Sequence, residues 1–286
     1  MDVRVTVGPL RLADCLVLVE TNDEEFAATI RWCFRDLLAD EGHGDLPILH
    51  RFEVARLEAP FSRWAILRDG EPCQLTLEEG YVLFHLQWEF NRVVLEQRTA
   101  TVHAAAIEMN GRCILLTGSS MSGKTTLAGW MAARGAGYLC DEIISIDDRG
   151  CALHYRRPLG LRHGGPLEDF FAHPDGIDRR FDAYEMLVPV SALGNVTMPD
   201  DPIEIGAIVF PRYDPEASPH VEPIARSLAF QRLCENSPGL MRNGRPVFDL
   251  LSDLVHRVPV LQLSIRDSES AEQLLRSALS QCGVGS

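Results

Sequence analysis

The sequence GSSMSGKTT at residues 118–126 carries the clearest chemical signal in the chain. Residues 118–125 match the pattern G-x-x-x-x-G-K-[ST] at every position. Glycine at both ends permits a left-handed backbone, so consecutive amides can point inward and bind an anion at a helix N-terminus. We therefore predict a nucleotide-binding loop made of Gly118, Ser119, Ser120, Met121, Ser122, Gly123, Lys124, Thr125 and Thr126.

Two side chains of this loop have specific predicted roles. Lys124 would reach the β- and γ-phosphates, and the Thr125 hydroxyl would bind Mg²⁺. The pattern alone can also occur in a turn rich in glycine and serine. Here, however, an apolar run at 112–116 precedes the loop, and an apolar helical pattern at 125–134 follows it and ends at Gly135. This strand–loop–helix context is the one that the mechanism requires.

An acidic pair, Asp141 and Glu142, ends the next apolar run, at 138–140. In nucleotide-binding proteins of this kind, an acid at that place commonly holds Mg²⁺. Asp141 is the predicted metal ligand beside Thr125, and the second carboxylate could accept a proton from an attacking hydroxyl. Which of the two is the base stays open, and a solvated strand end is the simpler alternative. Because adjacent strand residues point to opposite faces, both can face a ligand only if the chain bends there.

His103 lies on an apolar run at 102–109 that precedes the loop. Asn110 and Gly111 separate this run from the next one and predict a tight hairpin. A single histidine on a strand is most often a core residue with a satisfied hydrogen bond. The residues alone therefore leave both a core role and an active-site role open for His103.

Composition indicates an ordinary globular protein. The chain has 286 residues, 46% of them hydrophobic, and a net charge of −14, which disfavours nucleic-acid backbones as partners. The cysteines form no Cys-x-x-Cys pair, which argues against a zinc site. No secretory signal or membrane-spanning apolar run is recognisable, so we expect a cytoplasmic protein with no membrane partner.

Periodicity suggests two parts, a small α/β module at residues 1–97 and a larger domain at 98–286. Strands are expected at 3–7 and 16–20, and a helix capped near Asp23 should follow. A hairpin is expected around Asp69 and Gly70, followed by a long helix that begins at a Thr76–Glu79 capping box. In the larger part, strands are expected at 203–210 and 260–265, with helices at 228–233, 247–258 and 269–279.

Several other charged side chains are weaker candidates. Arg156, Arg157 and Arg162 follow the acidic strand and could clamp phosphate or a carboxylate, as Arg212 could after a later strand. Ordinary surface charge is the alternative for all four. The region 160–199 could hold substrate or be an irregular connection. Histidines with no metal-ligand spacing are His154, His163 and His173.

Together these motifs resemble the HPr kinase/phosphorylase family, and more closely its bacterial relatives that include lasso-peptide precursor kinases. The resemblance covers roughly residues 98–286 and rests on the order His103, hairpin, loop, acidic pair. It extends to Arg157-Pro158-Leu159, to Ile208-Val209-Phe210-Pro211-Arg212 and to segments at 233–236 and 258–263. It implies an α/β P-loop kinase fold of the HPr kinase/phosphoenolpyruvate carboxykinase type with a mixed central sheet, beside the small N-terminal α/β module.

The resemblance also implies roles for individual residues. His103 would be an active-site residue near the transferred phosphate, Glu142 would be the general base, and ATP and Mg²⁺ would be the cofactors. One departure is that HPr kinases carry a Glu-containing signature after the acidic strand, where this chain has Arg156 and Arg157. That difference argues against HPr as the substrate and against the phosphorylase reaction.

The predicted function is an ATP-dependent kinase that phosphorylates a hydroxyl, a serine in a peptide or protein, with a lasso-peptide precursor as one such acceptor. Two alternatives stay open. The first is a small-molecule kinase that acts on a hydroxy amino acid or a polyol, and the second is a non-catalytic regulator that binds nucleotide. A homo-oligomer is compatible with each of them.

Overall fold

The structure is a computed structural model that describes residues 4–40, 46–57, 63–96, 100–162, 167, 185–194 and 196–284. Internal contacts divide the chain into two compact units. The first unit comprises Met1–Val94 with Arg157–Ala192, and the second comprises Leu95–Arg156 with Leu193–Ser286. Residues 157–192 thus group with the N-terminal part, whereas the sequence had assigned them to the larger domain. The proposed boundary after residue 97 stays a prediction.

The described residues form fifteen strands and seven α-helices. The first half contains β1 (Val5–Leu12), β2 (Cys15–Thr21), α1 (Glu24–Cys33), β3 (Ile48–Arg56), β4 (Trp64–Arg68), β5 (Glu71–Leu77), α2 (Glu79–Glu96), β6 (Ala100–Met109), β7 (Arg112–Thr117) and α3 (Lys124–Ala133). The second half contains β8 (Gly137–Cys140), β9 (Ile143–Ile146), β10 (Cys151–Leu153), β11 (Leu159–Arg162), β12 (Glu185–Val188), β13 (Ile203–Tyr213), β14 (His220–Pro223), α4 (Arg226–Glu235), α5 (Pro238–Asn243), α6 (Arg245–Arg257), β15 (Val260–Ile265) and α7 (Ser268–Gln281).

The first unit is built on a five-stranded sheet in the order β1-β2-β3-β4-β5. Only β2 and β3 run parallel, so this sheet is mixed. The helix α1 begins as predicted, because the Asp23 carboxylate accepts the Phe26 N–H at 2.9 Å. Aromatic rings fill the core below it, with Phe26 against Trp64 at a centroid distance of 4.3 Å.

Of two turns predicted in the first unit, the hairpin at Asp69 and Gly70 is confirmed and the helix cap at Thr76 is not. The β4–β5 hairpin is tight, with Arg68 opposite Glu71, because both strands extend to the turn residues Asp69 and Gly70. Thr76 belongs to β5 and does not cap a helix, since its hydroxyl donates to the Leu75 carbonyl at 2.6 Å. The predicted capping box is therefore wrong, and α2 begins at Glu79.

The second unit contains the central sheet, in the order β10-β9-β6-β7-β13-β15-β14, with β8 also paired to β6. The strands β7, β13 and β15 run parallel, and β6, β9 and β14 pair antiparallel with their neighbours. The predicted mixed α/β architecture is confirmed. The predicted hairpin is present too, because Asn110 and Gly111 both have left-handed backbones between β6 and β7.

The core of this unit lies under α3 and α7. Alternate residues of β6 and β13, such as Ile107 and Val209, share one face of the sheet and pack with Leu127 of α3 and Leu275 of α7. These helices are the ones that the sequence predicted at 125–134 and 269–279. The nucleotide loop therefore leads into a helix that is buried along one side.

Some elements were not predicted, mainly short strands and α5. The region 160–199 contains the antiparallel pair β11–β12, and most of the rest of it, including His163 and His173, lies outside the described residues. In the described part of the chain, no helix is both long enough and apolar enough to cross a bilayer.

Candidate active site

The predicted nucleotide loop connects β7 to α3 at the carboxyl end of the parallel strands. Gly118 and Gly123 have φ values of 141° and 94°, a left-handed conformation that favours glycine. Gly123 immediately precedes α3, so the amides of the loop and of the first helical turn converge. The loop is exposed at its tip, where the Met121 side chain is 75% exposed. This geometry is what phosphate binding needs.

Lys124 is the only lysine of the chain. Its residue is 7% exposed, and its Nζ donates to the carbonyls of Gly118 and Ser119, both at 2.9 Å. Burial lowers the pKa of the Lys124 ammonium, and the negative charges of Asp141 and Glu142 offset part of that effect. The ammonium group therefore lies inside the loop. Rotation of the Lys124 side chain would bring it into contact with a phosphate bound there.

The Ser122 hydroxyl provides a test of whether an anion fits. Ser122 is 7% exposed, and its oxygen has no hydrogen-bond partner among the residues that the structure describes. The oxygen lies 3.8 Å from the point where a Cβ would stand on Gly118, so it faces across the loop. A buried hydroxyl without a partner is destabilising, and a phosphate oxygen in the loop would accept its proton. The residues present fit a bound phosphate.

The acidic pair lies at a bend between β8 and β9. Both strands pair antiparallel with β6, and Asp141 and Glu142 connect them. Glu142 has a φ of 94°, and its carbonyl still accepts the Ala104 N–H at 3.1 Å. A left-handed backbone costs about 1–2 kcal/mol at a residue with a Cβ. The chain therefore bends here, as it must if both carboxylates are to face a ligand. The pairing of β8 and β9 with β6 offsets the cost of the bend.

Asp141 and Thr125 form the candidate Mg²⁺ site. The Thr125 hydroxyl donates to Asp141 Oδ1 at 3.0 Å, and Asp141 is 3% exposed. A hydroxyl and a carboxylate are hard oxygen donors, as Mg²⁺ prefers. Within the described ranges, no group of three or more His, Cys, Asp or Glu side chains could hold a metal ion. The pair therefore fits a Mg²⁺ that takes its other ligands from nucleotide phosphates and water.

His103 and Glu142 face each other beside the loop. His103 Nδ1 lies 3.3 Å from Glu142 Oε1, and the two side chains are 32% and 40% exposed. The backbone of His103 is held on both sides, since its N–H donates to the Asn236 carbonyl at 2.6 Å and its carbonyl accepts the Thr117 hydroxyl at 3.0 Å. An exposed carboxylate paired with an imidazole can accept a proton from a hydroxyl that approaches from solvent.

The predicted arginine clamp is not assembled within the unit that contains the loop. Arg157 and Arg162 belong to the first unit. Arg157 is buried and donates from Nε and Nη2 to the Gln87 side-chain oxygen when that amide is oriented to accept. Arg162 is exposed at the end of β11. Arg156 lies in the second unit but donates to Asp200 at 2.6 Å and to two backbone carbonyls. The clamp stays a prediction.

Two neighbours of the site were missed by sequence reasoning. Asn236 ends α4 and accepts the His103 N–H, and Tyr213 ends β13 with its Cβ 3.8 Å from where a Cβ would stand on Gly123. The run at 203–210 indicated a buried strand, and the carboxyl ends of parallel strands meet at one edge of a sheet. From that rule, the sequence could have placed Tyr213 near the loop. No local feature of the sequence indicates that Asn236 contacts His103.

Comparison with known proteins does not identify the function of this chain. No protein-family model matches the chain, and no curated protein does. Among solved structures, the HPr(Ser) kinase/phosphatase from Coxiella burnetii matches with 14% identity over 63% of this chain and 91% of that chain, at a TM-score of 0.30. A score this low supports no conclusion about this chain. What the protein does has to be inferred from the geometry of its own site.

Proposed function

We propose that the protein is an ATP-dependent kinase that transfers the γ-phosphate to a serine hydroxyl of a peptide or protein. The observation that carries the proposal is the pairing of Glu142 with His103 at 3.3 Å, beside a phosphate-binding loop and an Asp141–Thr125 pair. A regulator that only binds nucleotide needs the loop. It has no need for a strained glutamate held next to a histidine on the neighbouring strand.

The loop residues would bind and orient the triphosphate. Backbone amides of 118–125 hold the β-phosphate, and Lys124 leaves the carbonyls of Gly118 and Ser119 to bind the β- and γ-oxygens. Thr125 and Asp141 would hold Mg²⁺. When bound, the ion would neutralise charge on the β- and γ-phosphates. This arrangement supplies positioning and charge stabilisation, which account for most of the catalysis of phosphoryl transfer.

Glu142 would act as the base. The acceptor oxygen forms a bond to the γ-phosphorus while the bond from that phosphorus to the β–γ bridging oxygen breaks, and ADP leaves. The hydroxyl proton passes to the Glu142 carboxylate. His103 Nδ1, 3.3 Å from Glu142 Oε1, would then accept a hydrogen bond from the protonated carboxyl group. Asp141 is almost fully buried and bound to Thr125, which suits it to the metal and leaves the half-exposed Glu142 as the base.

We place the acceptor in the class of peptides and proteins, with a lasso-peptide precursor as the specific candidate. The exposure of His103 and Glu142 supports an acceptor that approaches from solvent. The sheet of the first unit ends at β5, an edge strand to which an extended peptide could add, whereas Leu38 already pairs with Leu10 at the β1 edge. The basis for the lasso-peptide candidate is the family resemblance of the motifs alone.

The test uses Mg²⁺, γ-labelled ATP and a size-fractionated extract of the host organism. Wild type is compared with Lys124→Ala, Glu142→Gln and the control Glu222→Gln, a substitution of an exposed carboxylate on the strand β14. Label in a peptide or protein fraction that is lost in the first two variants and kept in the control supports the proposal.

Two other outcomes would contradict it. Label confined to a small metabolite would make the protein a small-molecule kinase. Absence of label from every fraction, while wild type still binds ATP, would make it a nucleotide-binding regulator. Where a peptide or protein fraction does carry label, mass spectrometry that locates a phosphoserine identifies the acceptor.

A further inference from the structure

Tyr213 is a large aromatic side chain that stands exposed beside the phosphate-binding loop. The residue is 51% exposed, and it is the last residue of β13. Its Cβ lies 3.8 Å from the position of a Cβ built on Gly123, and Ile265 Cδ1 lies 3.7 Å from the same position. Gly123 is the residue before the helix whose N-terminus would hold the phosphates. The half-exposed Tyr213 side chain therefore starts directly beside that helix terminus.

The register of the sheet explains why Tyr213 is there. In the parallel pair of β13 and β7, Val209 is opposite Leu116, so β13 continues alongside the loop after β7 has ended at Thr117. Val209 and Tyr213 share one face of β13, and Val209 packs in the core under α3. Tyr213 lies beyond the point where α3 begins, so the core that covers Val209 does not cover it.

Its position relative to Ile265 is fixed by the neighbouring strand. Tyr213 pairs with Ile265 of β15, and the next residue, Asp214, donates its N–H to the Ile265 carbonyl at 2.9 Å. A backbone hydrogen bond thus connects the carboxyl ends of β13 and β15 beside the loop. Tyr213 and Ile265 lie on the same face of the sheet, the face on which α3 begins, with Ile265 buried in the core and Tyr213 exposed.

The groups proposed to act on the γ-phosphate lie on the opposite side of β7. The strand β7 has two neighbours, β6 with His103 and β13 with Tyr213. If the γ-phosphate points toward His103 and Glu142, the other end of an extended nucleotide points toward β13 and β15. Ligands of open α/β sheets lie outside the carboxyl ends of the strands. The carboxyl ends of β13 and β15 continue the same edge of the sheet from the phosphate site at the end of β7.

We infer that the exposed Tyr213 side chain, backed by the buried Ile265, is the surface on which the nucleobase of the bound nucleotide stacks. The inference rests on the proposed function, because it takes the loop to bind a nucleoside triphosphate. Every base has a π-face, so an aromatic platform binds bases with little discrimination among them. The ring thus adds affinity for ATP and for GTP alike, and none for a triphosphate without a base.

The test compares the dissociation constants of MgATP, MgGTP and magnesium tripolyphosphate by calorimetry for wild type, Tyr213→Ala and Tyr213→Phe. Loss of one stacked base corresponds to about 1–3 kcal/mol, or roughly 5- to 150-fold in affinity. We expect Tyr213→Ala to weaken ATP and GTP binding by about tenfold and to leave tripolyphosphate binding unchanged. Tyr213→Phe keeps the ring and should bind all three like wild type.

The other outcomes separate this inference from the proposed function. If Tyr213→Ala leaves ATP binding unchanged, or weakens ATP and tripolyphosphate equally, the base does not stack on Tyr213 and the inference is overturned while the proposed function stands. If wild type binds tripolyphosphate and no nucleotide, both the proposed function and this inference are overturned. If wild type binds none of the three ligands, the proposed function is overturned, and this inference with it.

Discussion

Replacing Glu272 with Gln should destabilise the second unit, because the Glu272 carboxylate links α7 to the nucleotide-loop helix α3. Glu272 is 8% exposed and accepts the Trp130 Nε1–H at 2.9 Å. It also pairs with Arg134 at 2.6 Å and with Arg276 at 2.9 Å. Trp130 and Arg134 come from α3 and the residue after it, so one carboxylate joins the two helices that cover the core.

The expected loss of stability follows from these partners. Hydrogen bonds to a charged group contribute about 1.5–3 kcal/mol, and exposed ion pairs about 0–1 kcal/mol. In the variant, the amide oxygen of the new side chain would still accept from Trp130, so the ion pairs are what is lost. Because the Arg134 and Arg276 side chains are 49% and 43% exposed, water solvates them after the change. We expect Glu272→Gln to lower the free energy of unfolding by about 1–2 kcal/mol.

The loss should depend on pH. Burial raises the pKa of Glu272, but hydrogen bonds from Trp130 and Arg276 and the charges of Arg134 and Arg276 together lower it below its ordinary value of 4.5. A carboxylate whose pKa is lower in the folded state stabilises the protein fully above its unfolded pKa and loses that contribution as pH falls through the folded pKa. The difference between wild type and variant should therefore be complete at neutral pH and shrink below the ordinary glutamate pKa.

Urea unfolding at several pH values measures this difference. The two units can unfold separately, so the transitions are fitted individually. Glu269→Gln is the matched control, the same change at an exposed position on the same helix α7. If Glu272→Gln costs no more than Glu269→Gln at neutral pH, or if its cost is the same in acid, the carboxylate does not link the helices in the way described.

Three further predictions concern the candidate active site. At Glu142, where φ is 94°, glycine should give a protein about 1 kcal/mol more stable than alanine, since only glycine adopts this backbone without strain. Asp141→Asn should raise the Mg²⁺ concentration needed for half-maximal turnover by about 10- to 100-fold, because it removes the charged oxygen bonded to Thr125. An amine-reactive reagent should modify Lys124 with a pH midpoint below the ordinary 10.5, because burial disfavours the charged form, and ATP should protect it.

Each of these predictions has its own control. Urea denaturation compares the two Glu142 variants, and alanine as stable as glycine would show that the backbone there is not strained. Thr125→Ser keeps the hydroxyl and should keep the wild-type Mg²⁺ dependence, whereas an unchanged dependence in Asp141→Asn would remove Asp141 from the metal site. Peptide mapping assigns the label to Lys124, which is the only lysine of the sequence. Unfolding in urea should raise the pH midpoint of Lys124 modification. A midpoint that stays unchanged would contradict the effect of burial on the Lys124 pKa.

The parts of the fold that sequence predicted well are those that depend on local chemistry. A two-residue hairpin turn requires left-handed backbones at both turn residues, which Asn and Gly adopt most easily, and the structure has that hairpin at Asn110 and Gly111. The helix after Lys124 follows from the loop itself and from apolar spacing. In contrast, Thr76 and Glu79 match a capping box, but the pairing of β5 with β4 keeps Thr76 in the sheet. Tertiary pairing there overrides a local signal.

The position of His103 beside the loop could have been derived by counting. A two-residue turn pairs Met109 with Arg112, and antiparallel register then places Ala104 opposite Thr117, as observed. His103 is therefore the next residue along, level with the first glycine of the loop. The motif pattern and the turn chemistry together thus locate the histidine, although neither does so alone. No family knowledge is needed for this step.

The position of Glu142 could not be derived in that way. The strands β8 and β9 reach β6 through α3 and its flanking loops, so no short turn sets their register. Only the folded sheet brings Glu142 within 3.3 Å of His103 and gives it a φ of 94°. Sequence therefore predicts the phosphate-binding loop, whereas the proposed assignment of the base depends on one non-local strand pairing. Restoring an ordinary backbone at that bend would turn the Glu142 side chain away from His103, which makes the strain itself part of the proposed catalytic arrangement.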